Sequence, residues 1–295
     1  GGHLVARLAP VRLNPGDAQR LFPGAPLPAG FTGTIAGRAT AGWTGDAVDG
    51  SAELMLENAG ITLPGLRLAG VNGVLRFDRL SPLSMPQQTL SIGLFDPGLT
   101  LTGGGLGLSL PGDGVLRLAP EPFLWAGQRV TFPSLSFRMG NKYLDMILNV
   151  PPTPLAEALP ALGVTGLAAQ GTLTGSIPVR IDAGGAHPGP GTLPAVGPGR
   201  LALTDIGSPP WLDPARNDSL ALVTRALADY RYTALELSLT EQGPRLSLRG
   251  ANPSLYGGYA MPMNLNLMPP PPVEAPTGGM PAAMAAIAAF KARRD

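Results

Sequence analysis

The side chains able to do chemistry are few and scattered. His3 and His187 are the two histidines of the chain, and cysteine is absent. No His-x-x-x-His or Glu-x-x-His spacing occurs, so no metal site is expected. Without cysteine there is neither a disulfide framework nor a thiolate site. Carboxylates are spread singly over turns, with no pair placed for acid–base work, and no Gly-x-Ser-x-Gly elbow appears. Gly197-x-Gly199-x-x-Ala202 has the outline of a dinucleotide fingerprint, but it contains Pro198 and leads into a strand, so it reads as a hairpin turn. Asn217-Asp218-Ser219 matches a glycosylation sequon by chance. Asn252-Pro253 reads as a turn into the last strand or as a loop that touches a partner. These readings point away from catalysis: no enzyme, no cofactor and no metal are expected.

Composition narrows the class further. Of 295 residues, 41 are Gly and 34 Pro, a density that breaks helices and argues against a helical bundle. The 21 Lys+Arg are balanced by 20 Asp+Glu and do not cluster, so no nucleic-acid footprint is expected. Hydrophobic residues make up 44% and are patterned, which excludes a disordered chain. There is no initiator Met, no signal-like leader and no run of 18 apolar residues. The chain reads as the C-terminal piece of a longer one, whose anchor or export signal would lie in the preceding part.

The elements that carry the apolar residues are strands. Period two runs through the chain. It sets one face as Leu54 and Leu56, Leu75 and Phe77, Leu90, Ile92 and Leu94, Leu99 and Leu101, Leu116 and Leu118, Leu135 and Phe137, and Leu144, Met146 and Leu148. The same face continues with Ile177 and Val179, Leu201 and Leu203, Leu235 and Leu237, Leu246 and Leu248, and Met263 and Leu265. Arg, Asp, Ser and Thr fall between them. Leu-Pro-Gly at 63–65, Asp-Pro-Gly at 96–98, Pro-Gly-Asp-Gly at 111–114 and Gly-Pro at 243–244 mark turns. Short strands at this spacing predict an antiparallel meander. Helical signals are few: a turn or two from Pro154 to Leu159; 213–228, capped by Asp213 and striped by Leu220, Val223 and Leu227; and the Ala-rich, weakly amphipathic stretch from Pro281 to Arg294.

One apolar face on so many strands exceeds what two short helices can cover. Left in water at ~25 cal/mol per Å², it would cost tens of kcal/mol. The sheet must close on itself as a barrel or sandwich, lie in a bilayer as an outer-membrane barrel, or curl into an open trough that holds something greasy. The expected fold is mainly β: a long, antiparallel, twisted and curled sheet forming an open hydrophobic groove, with one or two short helices near the C-terminal end. About 14 strands at ~4.8 Å make such a trough roughly 65 Å long. The groove unit is taken as residues 1–267, followed by a Pro-rich linker at 268–280 and an Ala-rich tail at 281–295, helical or disordered.

Four strings bear on the choice between these. Asn58-Ala-Gly-Ile-Thr-Leu-Pro-Gly-Leu-Arg-Leu-Ala-Gly-Val-Asn-Gly is the first, and Thr89-Leu-Ser-Ile-Gly followed by Asp96-Pro-Gly-Leu-Thr-Leu-Thr the second. Thr172-Leu-Thr-Gly-Ser-Ile-Pro-Val-Arg-Ile is the third, and Gly250-Ala-Asn-Pro-Ser-Leu-Tyr followed by Met263-Asn-Leu-Asn-Leu the fourth. In this order, over residues 50–267, they resemble the C-terminal region of the YdbH family of AsmA-like envelope proteins, which carry an older "dicarboxylate transport" label.

The resemblance implies a non-enzymatic bridge across the periplasm of a Gram-negative cell. Phospholipid acyl chains would move along the apolar residues named above. An N-terminal helix would hold the protein in the inner membrane. A small outer-membrane lipoprotein is the implied partner. It would add a strand at the C-terminal edge formed by Tyr259, Met261, Met263, Leu265 and Leu267. Two other readings stay open: a closed β-sandwich or barrel with a structural or adhesive role, and a solute-binding component for dicarboxylates, which would need convergent arginines in a closed pocket.

Overall fold

The strand runs read from the sequence fall in strands of the computed structural model, which describes residues 1–17, 20, 30–44, 47–204, 220–240, 243–255 and 262–266 and adds strands that the alternation did not mark, Phe31–Thr44 and several short ones among them. The first half holds β1 (Gly2–Leu13), β2 (Phe31–Thr44), β3 (Ala47–Leu63), β4 (Leu66–Phe77), β5 (Arg79–Leu80), β6 (Leu83–Asp96), β7 (Leu101–Leu110), β8 (Val115–Pro120), β9 (Phe123–Trp125), β10 (Gln128–Val130) and β11 (Leu135–Arg138). The second holds β12 (Tyr143–Pro154), helix α1 (Leu155–Ala161), β13 (Leu167–Gln170), β14 (Thr172–Asp182), β15 (Gly185–Pro188), β16 (Gly191–Pro194) and β17 (Gly199–Leu203). Helix α2 (Leu220–Ala226), β18 (Tyr230–Thr240), β19 (Gly243–Ala251) and β20 (Met263–Asn266) follow. The 213–219 part of the expected helix, the linker and the tail lie outside the described residues.

Among the described residues all pairing is antiparallel, in one 11-stranded and one 9-stranded sheet, neither closed into a barrel. Several short strands are segments of longer runs. β8 and β9 share one register against β7, through Leu108↔Leu118, Leu106↔Pro120 and Thr102↔Leu124. β10 and β11 likewise share one register against β9 and β8, through Gln128↔Trp125 and Leu135↔Leu118. β13–β14 run against β17–β16, through Leu167↔Leu203 and Ser176↔Thr192. Seen as runs, every strand pairs with its neighbour in sequence, the meander that the turn spacing predicts. A single bridge, Thr131↔Asn149, carries the ribbon from the first sheet into the second.

Local chemistry sets the turns. Pro64 and Gly65 sit at the two central positions between Leu63 and Leu66; Pro supplies φ near −65° and Gly65, at φ 63°, the positive angle. Asp96 accepts the Gly98 N–H at 3.0 Å and the Thr100 hydroxyl at 2.6 Å, closing the turn into β7. Gly197-Pro-Gly199 differs from the expected hairpin. β16 and β17 both run antiparallel along β18, and Ala195 N–H still bonds Leu235 O, so the segment between them is an interruption in one edge-to-edge run. Helix α1 extends through Pro160, past the expected stop. In a seven-residue helix proline removes little of the ladder, and Leu155, Ala158 and Leu159 are fully buried.

The two faces of the ribbon differ as the alternation requires. Outside, Arg38 stands opposite Glu53 and Glu53 opposite Arg76. Arg180 makes two hydrogen bonds to Asp145, at 2.7 and 3.2 Å, and lies over the Tyr143 ring. That hydrogen bond draws the Asp145 carboxyl below its ordinary range and raises the Arg180 guanidinium. Such exposed pairs add little stability. Inside, one apolar cluster joins both sheets, with Leu101, Leu148, Leu173, Ile177, Leu201 and Leu237 shut off from solvent. Asn252, buried beside α2, donates its amide to the Arg225 and Ala226 carbonyls at 3.1 and 3.2 Å and so ties the helix end to β19.

Leu148→Ala is expected to lower the unfolding free energy by about 2–5 kcal/mol. Ile147→Ala, on the exposed face of the same strand, is expected to change it by less than about 0.5 kcal/mol. Urea midpoints of the two variants check this. Burial also pushes the Tyr230 phenol up to about 12 and raises that of Tyr232, whose hydroxyl donates to Gln170 O. A tyrosine in the unfolded chain ionises near ~10, so the native state holds these protons more tightly. Stability is therefore intact below about pH 10 and falls as pH rises from there toward 12. Urea midpoints taken at about pH 8, 10 and 11 are expected to drop between the last two.

Candidate functional site: an apolar trough

Register places the apolar residues of the first four strands in rows. Leu8, Gly37, Leu54 and Leu75 form one row across β1–β4. Ile35, Leu56 and Gly73 form the next, and Ala39, Ala52 and Phe77 another. Leu4 lies opposite Ala41, and Trp43 opposite Gly2. Small residues alternate with large ones, which makes a shallow floor. Leu54, Leu56, Leu75 and Phe77 are only half buried, and Leu4 and Trp43 are 57% and 44% exposed. Leu13 and Ile35 are buried at one end of this face, and toward Leu4 and Trp43 the large apolar side chains are left open as a bare stretch of trough.

Toward the middle of the chain the trough deepens into a cavity of about 240 Å³ with a wholly apolar wall. Its lining comes from both sheets: Leu66, Leu68, Ile92, Leu106 and Leu118 from the first, Leu144, Met146 and Ile181 from the second. Phe95, Phe123 and Phe132 stand together there, ring centroids 5.7–5.9 Å apart. Leu94, expected inside, is not among the lining residues. Irregular register in β3, between Leu56 and Ile61, and the positive φ of Gly70 in β4 shift the alternation. The row Leu68, Phe95 and Leu101 faces inward in its place.

A clasp stands at the strand ends. The Ala186 N–H, at the start of β15 just after the β14–β15 turn, donates to Pro64 O, in the β3–β4 turn, at 3.1 Å. Glycine is required on both sides: a Cβ on Gly185 would run into Pro64 O, and one on Gly65 into Ala186 O. Beside it, the Gly184 N–H and His187 lower the Asp182 carboxyl.

Around and beyond the cavity the ribbon is largely filled by its own side chains. Leu90, Ile92, Leu99, Leu101, Met146, Leu148, Ile177, Val179, Leu201, Leu235, Leu237, Leu246, Leu248, Met263 and Leu265 are buried. Leu94, Leu116, Leu118, Leu135, Phe137, Leu144 and Leu203 are half buried. Of the expected edge residues, Met263 and Leu265 lie in β20, which pairs on one side with β19. Tyr259, Met261 and Leu267 lie outside the described residues. The alternation signal that marked Leu54 and Leu75 does not reach Leu4, Trp43, Phe95, Phe123 and Phe132, which sit among Ala, Gly and Pro. Among the described residues no group of His, Asp and Glu could hold a metal ion.

An unclosed antiparallel ribbon with one apolar face, bare at one end and roofed in the middle, defines a class of β-groove proteins. The chain belongs to the YdbH-like family, described as intermembrane phospholipid transport protein YdbH, whose model matches residues 7–268. No curated protein and no solved structure matches it. The family is one of lipid transport between membranes, which implies a lipid substrate and a cell-envelope location. No helix among the described residues is long and apolar enough to cross a membrane.

The clasp makes a prediction. In this cysteine-free chain, Ile181→Cys places one thiol on the cavity wall. Adding Gly185→Ala must part the two turns, so the thiol is expected to react faster with a maleimide. Gly184→Ala, whose Cβ would meet only the Asp182 and His187 side chains, is expected to leave the rate unchanged.

Proposed function

We propose that the protein carries phospholipid acyl chains along this trough by non-covalent contact alone. The observation that carries the reading is the bare apolar floor of β1–β4, which leads into an apolar cavity. An acyl chain outside a bilayer needs compensation of ~0.8 kcal/mol per methylene, on the order of 12 kcal/mol for sixteen carbons. Repeated leucine, isoleucine and phenylalanine contacts supply it, and their near equivalence lets a chain slide. Residues 1–267 act as one groove unit. The buried leucines of the second half belong to the same path and line it when that half opens.

The placement in the cell follows from the same reading. The protein works in the periplasm, held at the inner membrane by a segment N-terminal to this chain. Its outer-membrane partner is a small lipoprotein that adds a strand beside β20. The residues 268–280 act as a spacer and 281–295 as a tail. A solute-binding role for dicarboxylates has little support: Arg76, Arg117, Arg180 and Arg200 stand beside carboxylates on exposed positions, and the cavity wall is apolar.

Native mass spectrometry of the purified protein is expected to find bound phospholipid. A photo-crosslinking residue at Leu75 is expected to capture lipid in cells, and one at Leu237 is expected to capture far less. Lipid-free protein with no crosslink at Leu75 would overturn the reading in favour of a structural β domain.

A further inference from the structure

The wall of the ribbon has a break beside the cavity. Thr131 and Asn149 exchange backbone hydrogen bonds of 3.3 and 2.9 Å. Beyond that bridge, toward Arg138 and Tyr143, no ladder bond joins β11 to β12. β11 bonds on its far side to β8, and β12 on its far side to β14. The two facing rows of N–H and C=O groups are left as a sheet edge leaves them.

Side chains tie this slit to the interior. Leu135 on one lip and Met146 on the other border the apolar cavity, and the same two residues border a depression of about 850 Å³ on the outer surface. Inside and outside meet there. At this slit Tyr143 is 50% and Ile147 47% exposed. Pro133, Pro178 and Pro190 also line the depression. Their rings add apolar surface that carries no hydrogen-bond donor. An alkyl chain needs no hydrogen bonds, and it suits an apolar slot that continues into an apolar cavity.

We propose that the slit between β11 and β12 is a side port through which a phospholipid acyl chain passes between the cavity and the outer surface, with Leu135 and Met146 as its lips. The proposal rests on the lipid reading above and adds a second way into the trough besides its bare end. The cavity wall offers a headgroup no polar partner, so the chain enters tail first while the headgroup stays at the rim, where Arg180 and Asp145 are already paired.

The test places a photo-crosslinking residue at Ile147, at Asn149 or at Leu54 in the full chain, mixed with vesicles of phosphatidylethanolamine and phosphatidylglycerol. Ile147 and Asn149 are exposed on the same face of one strand, but Asn149 lies at the closed bridge. Capture of phospholipid at Ile147 and Leu54, with loss of capture at Asn149, is the expected result. Capture at Leu54 but not at Ile147 would overturn the port and leave the trough reading standing. Equal capture at Ile147 and Asn149 would overturn the port as mere surface adhesion. No capture at any position would overturn the lipid reading and the port with it.

Discussion

A sheet with one apolar face must have that face covered, and this requirement governs the rest of the molecule. The chain makes strand after strand with leucine on one side and supplies only two short helices among its described residues. In the second sheet the curl of the ribbon, aided by Leu155 and Leu159 of α1 and Leu227 after α2, closes the face on itself. Each leucine fully buried there contributes roughly 1.5–3 kcal/mol. In the first sheet Leu54, Leu56, Leu75 and Phe77 stay half buried, and Leu4 and Trp43 are exposed. On the proposed reading a guest chain supplies the rest of the cover.

The two regimes meet at the cavity, where the chemistry is suited to transience. The phenylalanine cluster, the clasp and the open seam between β11 and β12 lie around one apolar space. Backbone closes it at two small contacts, Pro64 with Ala186 and Thr131 with Asn149. Elsewhere the ladders are long: β2 and β3 remain paired from Phe31 to Thr44. Rigid strands joined at weak seams give a wall that holds its shape and yields locally.

Much of this was legible beforehand. Alternation of Leu with Arg, Asp and Ser needs no partner to be read, so strand identity and facing were fixed by residues such as Leu144, Asp145 and Met146. The turns were legible for a similar reason, since Pro64-Gly65 and Asp96-Pro97-Gly98 act on their own backbone. Depth of burial was not. Whether Leu237 is sealed or Leu54 bare depends on curl, which is a sum of small twists over many strands. The facing of Leu94 and Phe95 turned on register irregularity in β3 and a positive φ at Gly70. The contact between Pro64 and Ala186 joins residues far apart in sequence, and nothing local announces it. The open seam was invisible because Leu135 and Leu144 carry the same pattern as residues in fully bonded strands.

The meander has a consequence for how such a chain can change in length. Since each run forms its ladder with its predecessor and its successor, inserting or deleting one hairpin away from the clasp and the cavity disturbs two ladder borders and reroutes no strand. Each added hairpin would extend the ribbon by about 10 Å. A spacer between two surfaces could thus be tailored to a wider or narrower gap by duplication alone, without inventing a new architecture.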